Sequence, residues 1–203
     1  MRTDETRATY GYETLSLIGK VSLWLSERIV VSNLRAGRWL DVLSGHKSLL
    51  QSSQLSNTLI TQFYSIDRTL DASLAVHGLN LVEHQVEKEL PYPDDFFANV
   101  TFVNGLEHLW NPREVLAECF RVLQPGGVLQ VIVPTWFGKP FLEFLAFRLR
   151  NPQASIEMND HKMYYDEKTL WPMLVAAGFR PRGIVLRRIK LWCSLYARTV
   201  KAA

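Results

Sequence analysis

The sequence predicts an α/β protein with a doubly wound sheet of seven strands, mostly parallel, with helices on both faces. Apolar runs of strand length alternate along the chain with segments of helical periodicity, which is typical of a parallel sheet. The runs at residues 100–103 and 128–133 are apolar on both sides of the backbone, as expected of fully buried strands. The last two apolar runs are close in sequence and predict a C-terminal antiparallel hairpin.

Composition restricts the class of protein further. The 203 residues suffice for one domain with a sizeable core and are few for two. Hydrophobic residues make up 47% and charged residues 21% of the chain, which is typical of a globular protein. The net charge of +3 is too small for the dense basic surface of a nucleic-acid-binding protein.

The sequence also gives expectations about compartment. Residues 1–11 are polar and charged, unlike a secretory signal, and no run reaches the roughly 20 apolar residues of a membrane span. Cys119 and Cys193 lack metal-like or redox-motif spacing and are predicted to be buried thiols, on a helix and in a late strand. These features predict a cytoplasmic protein.

The first half of the chain is expected to supply three strands. Residues 1–36 are predicted to form a tail and a helix, at 14–32, that pack on a single domain formed by residues 37–203. The strands are expected at residues 39–43, 63–66 and 79–82. Weaker helical patterns lie between them, at residues 48–58 and 69–77.

The second half contains the clearest signals. Strands at 100–103 and 128–133 flank a helix that starts at Pro112, with Asn111 as its N-cap, and ends near residue 123. Pro125 ends that helix, and the glycines after it permit a sharp turn. Two more helices and two strands are expected, at residues 141–150, 167–177, 184–189 and 191–199.

The order of these pieces in residues 89–134 resembles the second half of the class I S-adenosylmethionine-dependent methyltransferases. The segment RVLQPGGV, residues 121–128, is similar to the helix-turn-strand signature of that family. The segment LEHL, residues 106–109, is similar to the one that follows strand four in its small-molecule and sugar members. The resemblance covers about residues 37–201 and implies a Rossmann-like fold with S-adenosylmethionine as cofactor.

The resemblance implies a cofactor site at the carboxyl ends of the first four strands. Asp67, which closes strand two, would accept hydrogen bonds from the two ribose hydroxyls. The amide oxygen of Gln85 would meet the adenine amino group, and Val86 would pack on the ring. The other residues expected to line the cofactor are Asp41, Gly45, Asn104 and Gly105.

Two histidines are candidate catalytic bases. His108 follows strand four, and an imidazole there could take a proton from a substrate hydroxyl. His161 is the second choice, on a polar stretch before a helix. The alternative is structural: Glu107 and His108 would orient the strand-to-helix connection, and His161 would cap local structure. The five histidines show no metal-like spacing, so no metal site is predicted.

The loop after strand one departs from the family pattern. The pattern has three glycines at alternate positions, and this chain has Leu43, Gly45 and Lys47 there. A leucine could project into the space of the methionine part of the cofactor. Three alternatives follow: the loop adjusts and the cofactor binds; binding is lost and the protein is an inactive partner subunit or scaffold; or the pocket holds another small ligand.

The remaining expectations concern acceptor and partners. The segments at 160–170 and 177–179 resemble methyltransferases of polysaccharide and lipopolysaccharide assembly, which implies O-methylation of a sugar. The apolar segments 136–150 and 14–32 are expected either to pack on the domain or to contact a membrane surface or protein partner. A small-molecule or glycan substrate and no nucleic acid are predicted.

Overall fold

The computed structural model describes residues 17–44, 59–68, 70, 79–148, 155 and 159–202, and within them it contains one seven-stranded sheet. The strand order is β3-β2-β1-β4-β5-β7-β6. The strands are β1 (Gly37–Val42), β2 (Ile60–Asp67), β3 (Asn80–Glu83), β4 (Phe97–Val103), β5 (Leu123–Pro134), β6 (Val185–Ile189) and β7 (Ser194–Val200).

The pairing confirms the predicted sheet. Strands β1 to β5 run parallel to their neighbours, whereas β7 pairs antiparallel with both β5 and β6. Because the first five strands are parallel, their carboxyl ends meet at one edge of the sheet. That edge is where ligands bind in open α/β sheets, so it is the place to look for a site.

Helices cover both faces of the sheet. The larger core cluster contains Val115 and Leu116 of helix α2 (Pro112–Val122) and Leu170 and Leu174 of helix α4 (Glu167–Ala176). The smaller cluster, on the other face, includes Val30 of helix α1 (Leu17–Val31), together with Trp39, Phe63, Ile132 and Tyr196. Helix α3 (Lys139–Glu143) continues into a π-helical turn, Phe144–Arg148.

Side chains bond the segment after α1 to the middle of the sheet. The Asn99 side chain of β4 accepts a hydrogen bond from the Arg35 backbone nitrogen and donates one to the Arg35 carbonyl, both at 2.8 Å. The Gln130 side chain of β5 donates to the carbonyl of Val30 at 3.2 Å. These bonds satisfy buried polar groups on that face of the sheet.

Several local predictions need correction. Cys193 lies in the turn before β7 and is partly exposed, not buried in a strand; Cys119 is buried in α2 as predicted. Asn111 precedes α2, but its side chain makes no capping hydrogen bond. The helix expected at 141–150 begins earlier and winds more widely over Phe144–Arg148. The predicted tail 1–12 and helix 48–58 lie outside the described residues, as does nearly all of the helix expected at 69–77.

The N-terminus of α4 is fixed by a capping motif of residues that are close in sequence. Asp166 accepts a hydrogen bond from the Thr169 backbone nitrogen at 2.8 Å, and the Thr169 hydroxyl accepts one from the Asp166 nitrogen at 2.9 Å. This reciprocal capping box satisfies two backbone donors. We expect Asp166→Ala to lower the free energy of unfolding by about 1 kcal/mol, measured by urea denaturation. Asp166→Asn, which keeps an acceptor oxygen, should cost less; an equal loss would contradict the capping role.

None of the helices among the described residues combines the length and apolar character that crossing a bilayer requires.

Candidate functional site

The carboxyl ends of β1 and β4 meet through Leu43 and Gly105. Leu43 follows β1 with φ of 55°, is 8% exposed and belongs to the larger core cluster. A methyl group added to Gly105 would lie 2.9 Å from the Cβ atom of Leu43, closer than side-chain carbons approach. The leucine side chain therefore packs into the core against a bare glycine. This removes the reason for expecting Leu43 to block a cofactor; Gly45 and Lys47 lie outside the described residues.

Asp41 lies within the sheet and not at the rim of a pocket. It is buried in β1, and its Oδ1 accepts a hydrogen bond of 2.6 Å from the Thr101 hydroxyl of β4. Thr101 in turn accepts a hydrogen bond of 2.9 Å from the indole nitrogen of Trp39. The carboxylate thus links two neighbouring strands within the sheet. A direct role in holding the cofactor stays a prediction.

Three other predicted cofactor residues lie at the ends of β2 and β3. Asp67 ends β2, is buried, and accepts a hydrogen bond of 2.6 Å from the Arg68 backbone nitrogen. The Gln85 side chain is exposed after β3 and donates to Glu87. Val86 is buried in the larger core cluster. A carboxylate at the end of β2 and an exposed amide after β3 fit the groups that bind ribose hydroxyls and adenine.

The chain turns sharply after β4. Asn104 has φ of 53°, is exposed, and its backbone nitrogen donates to the carbonyl of Ile132 in β5 at 2.9 Å. Gly105 then leads into a 3₁₀ turn, Leu106–His108, in which the His108 nitrogen donates to the Gly105 carbonyl at 3.1 Å. This short turn places Glu107 and His108 at the carboxyl edge of the sheet.

His108 is held by a carboxylate that sequence reasoning did not select. Its Nδ1 lies 2.8 Å from Oδ2 of Asp160, and since a carboxylate only accepts hydrogen bonds, Nδ1 carries the proton. Nε2 then has its lone pair available for an incoming proton, and it lies 4.0 Å from Oε1 of Glu107. The His108 side chain is 10% exposed. An imidazole oriented by a carboxylate is an arrangement suited to general base catalysis.

The fold brings His161 to His108, although 53 positions separate them. The Lys162 nitrogen donates to the Glu107 carbonyl at 2.8 Å, and the Tyr165 nitrogen donates to the Pro134 carbonyl at 3.0 Å. These backbone bonds fix the segment 160–165 against the ends of β4 and β5. The rings of His108 and His161 lie 5.2 Å apart between centroids. Both predicted catalytic histidines therefore share one site.

A buried carboxylate sets the electrostatics of this site. Glu107 is 1% exposed and lies beside Tyr165, whose hydroxyl donates to the Leu106 carbonyl at 3.2 Å. Burial, with a smaller contribution from the negative charge of Glu107, raises the pKa of the Tyr165 hydroxyl. Tyr165 therefore stays protonated and structural. The other charged groups of the site are Asp160 and the Lys162 ammonium, which lie 2.9 Å apart.

Aromatic residues surround the two histidines. The His161 ring lies 5.2 Å from the Tyr164 ring, and Nδ1 of His161 is 3.1 Å from the Tyr164 hydroxyl. Tyr164 in turn packs 5.4 Å from Trp136. Trp110 stands at the edge of the site, 79% exposed, with the Lys162 ammonium 5.5 Å from its ring centre. This surface can contact a flat or apolar acceptor.

Comparisons with known proteins identify the family. A family profile described as "Methyltransferase domain" matches residues 45–131. The chain is 30% identical over 186 residues to the ubiquinone/menaquinone biosynthesis C-methyltransferase UbiE of Pseudomonas aeruginosa, covering 77% of this chain and 71% of the relative. It is 26% identical over 184 residues to the UbiE of Chromobacterium violaceum, covering 77% and 73%.

Solved structures share the fold at low identity. One is a methyltransferase in complex with the Trm112 methyltransferase activator of Haloferax volcanii, with a TM-score of 0.69, 14% identity, and coverage of 91% of this chain and 92% of that one. Another is a Thermotoga maritima S-adenosylmethionine-dependent methyltransferase, with a TM-score of 0.67, 16% identity and 94% coverage of both chains. With the seven-stranded sheet and the relatives above, they lead to one conclusion: the chain belongs to the class I S-adenosylmethionine-dependent methyltransferase family.

Proposed function

We propose that the protein transfers a methyl group to an acceptor that carries an acidic hydroxyl, with His108 as the base. The observation that carries this proposal is the contact of 2.8 Å between Nδ1 of His108 and Oδ2 of Asp160, at the carboxyl edge of the sheet. When bound, S-adenosylmethionine supplies the methyl group on a sulfonium that is already a strong donor. The task left to the protein is to position the acceptor and remove one proton.

Each residue has a proposed part. Nε2 of His108 accepts the hydroxyl proton, and the carboxylates of Asp160 and Glu107 stabilise the imidazolium that results. Asp67 and Gln85 bind the nucleoside of the cofactor, with Val86 beneath the adenine. Asp41, Gly45, Asn104 and Gly105 shape the pocket around the rest of the cofactor, and His161 contacts the acceptor.

We propose a hydroxylated aromatic ring as the acceptor, methylated at a carbon next to the hydroxyl. Deprotonation makes such a carbon nucleophilic, so the same base serves C-methylation. After the methyl group is transferred and S-adenosylhomocysteine is left, that carbon loses its own hydrogen as a proton, which restores the aromatic ring. The relatives named as ubiquinone/menaquinone C-methyltransferases support this acceptor class. The exposed aromatic rings of Trp110 and Trp136 at the site also suit a flat ring.

A sugar hydroxyl is the second candidate. Asp160 and Lys162 form an ion pair of 2.9 Å at the rim, and such charged groups can bind sugar hydroxyls. Methylation would then occur on oxygen, as the segment 160–170 led us to expect. None of the relatives reported above carries a name that refers to sugars, so the aromatic acceptor is preferred.

The apolar surface beside the site offers a place for a lipid chain on the acceptor. Helix α3 and the π-helical turn expose a row of aromatic side chains, Phe141, Phe144 and Phe147, with Phe137 just before them. We propose that this surface contacts the chain of a lipid-linked acceptor or the membrane around it. The segment 14–32 exposes Leu17, Val21 and Trp24 and remains a second candidate for such contact.

Titration calorimetry and an acceptor panel test the proposal. S-adenosylhomocysteine should bind wild-type protein, and Asp67→Ala should weaken binding by about tenfold or more, because two hydrogen bonds to the ribose are lost. Arg38→Ala, on the exposed start of β1, is the control. Radiolabelled donor is then offered with a prenylated hydroquinone and with a lipid-linked sugar, and products are analysed by mass spectrometry. No binding of S-adenosylhomocysteine would revive the inactive-scaffold alternative.

A further inference from the structure

We propose that Glu107, His108 and His161 together bind one divalent transition-metal ion. One ligand atom from each of these three residues lies within 4.8 Å of the other two. Two imidazoles and a carboxylate form a donor set that binds zinc or iron in proteins while leaving positions open for another ligand. Sequence spacing did not predict this site, because the third ligand comes from a distant segment.

The partners of the two histidines fit this role. Nδ1 of His108 faces Asp160 at 2.8 Å, and Nδ1 of His161 faces the Tyr164 hydroxyl at 3.1 Å. Histidine ligands of metals commonly donate the other ring N–H to a carboxylate or another acceptor, which fixes the ring orientation. With Nδ1 engaged, Nε2 is the atom through which each ring would bind the ion.

The distances are close to those of an occupied site. Nε2 of His108 lies 4.0 Å from Oε1 of Glu107. In a tetrahedral site with bonds of about 2.1 Å, ligand atoms lie about 3.4 Å apart, so the cluster has to contract by roughly an ångström. His161 is only partly buried, and a small shift of its side chain toward Glu107 would close this gap. While these side chains move, the backbone hydrogen bond from Lys162 to Glu107 would hold the two segments together.

Burial and charge favour a cation at this position. Glu107 is 1% exposed, and its buried carboxylate supplies an oxygen ligand and a negative charge. Asp160 adds a second negative charge on the far side of His108. The Lys162 ammonium, 2.9 Å from Asp160, offsets one of the two carboxylates, so one net negative charge remains beside the two imidazoles, and a divalent ion would offset it.

The consequence for the reaction rests on the proposed function. An ion with three protein ligands has an open position, where it can bind the acceptor oxygen as its anion. In the metal-bound protein Nε2 of His108 would be a ligand and the acceptor proton would pass to solvent, so the role of His108 as base belongs to the metal-free protein. Metal-loaded and metal-free protein are therefore expected to differ in the pH profile of methyl transfer, with the loaded form active at lower pH.

Binding is tested on the full chain after treatment with a chelator. Titration calorimetry with ZnCl₂ should give one ion per chain, and MgCl₂ should bind much more weakly because magnesium prefers oxygen ligands. Glu107→Gln, His108→Ala and His161→Ala should each weaken zinc binding by tenfold or more. His84→Ala, which removes a histidine outside the cluster, should not. Co²⁺ added instead should give visible absorption bands that disappear in His161→Ala.

Two results would overturn the proposal: wild-type protein that binds no stoichiometric zinc, or His161→Ala that binds zinc as wild type does. Thermal denaturation of each variant separates loss of the site from loss of the fold, and His161→Ala is the variant least expected to unfold because its side chain is partly exposed. Zinc binding without methylation of any acceptor would leave the site standing and contradict the proposed function. Methylation by protein that binds no zinc would support the proposed function and contradict the metal site.

Discussion

Replacement of His108 by asparagine is expected to lower kcat for methyl transfer by about 10²–10⁴-fold, the range found when a general base is removed. Binding of S-adenosylhomocysteine should change little, because Asp67 and Gln85, which we propose to bind its nucleoside, lie at the ends of β2 and β3. Single-turnover rates with radiolabelled donor measure the first quantity and titration calorimetry the second. A variant that retains the wild-type rate would show that His108 only orients the turn after β4.

Asp160→Asn is expected to have a smaller effect than His108→Asn. Asp160 acts through His108, so we expect a smaller fall in kcat and a shift in the pH profile, with little change in KM. The same assay in chelator-treated protein separates the two roles of His108. If His108 is the base, metal-free wild type remains active; if it serves as a ligand, activity falls with the chelator and returns with zinc.

Gly105→Ala is expected to destabilise the protein by about 1–3 kcal/mol, as when a methyl group is forced into a packed site. The new methyl group would meet the Cβ atom of Leu43 at 2.9 Å. The backbone at Gly105 has φ of −126°, which any residue adopts, so the effect is one of packing alone. Urea denaturation measures the change in the free energy of unfolding.

The matching substitution is Leu43→Gly. It loses a buried side chain but suits the positive φ at that position, where a leucine costs of order 1 kcal/mol. In the double variant the methyl group at residue 105 no longer meets a Cβ atom. We therefore expect the double variant to be more stable than the sum of the single changes by roughly 0.5–3 kcal/mol. Strict additivity would show that the two positions do not share this contact.

Local patterns in the sequence were sufficient for most of the fold. Most strands contain a short apolar run, and the cap at Asp166 depends on neighbouring residues only. The turn expected at Gly126 and Gly127 instead lies within β5, where the pairing with β4 is irregular. The mostly parallel sheet with its late hairpin followed from the alternation of strands and helices and from the family resemblance, whereas the order of the strands was not predicted. Local patterns were weaker for side-chain detail: Asn111 lies at the predicted N-cap position without making the bond.

The site could be predicted only in part. Asp67 and His108 each follow a strand, and the carboxyl ends of parallel strands are a known position for ligands. The partners of His108 could not be found in this way, because Asp160 and His161 arrive through the folding of a distant segment. The direction of the Leu43 side chain depended on a glycine 62 positions later, which no local pattern reveals.

The segment that carries Asp160, His161 and Tyr164 is attached through main-chain groups, from Lys162 to Glu107 and from Tyr165 to Pro134. Peptide groups are the same whatever residue they belong to. Because these bonds do not involve side chains, the exposed side chains of this segment can be exchanged while its backbone stays in position. A saturation library at positions 161 and 163, whose side chains are at least partly exposed, should yield mostly folded proteins, and this makes the segment a natural place to engineer a new acceptor preference.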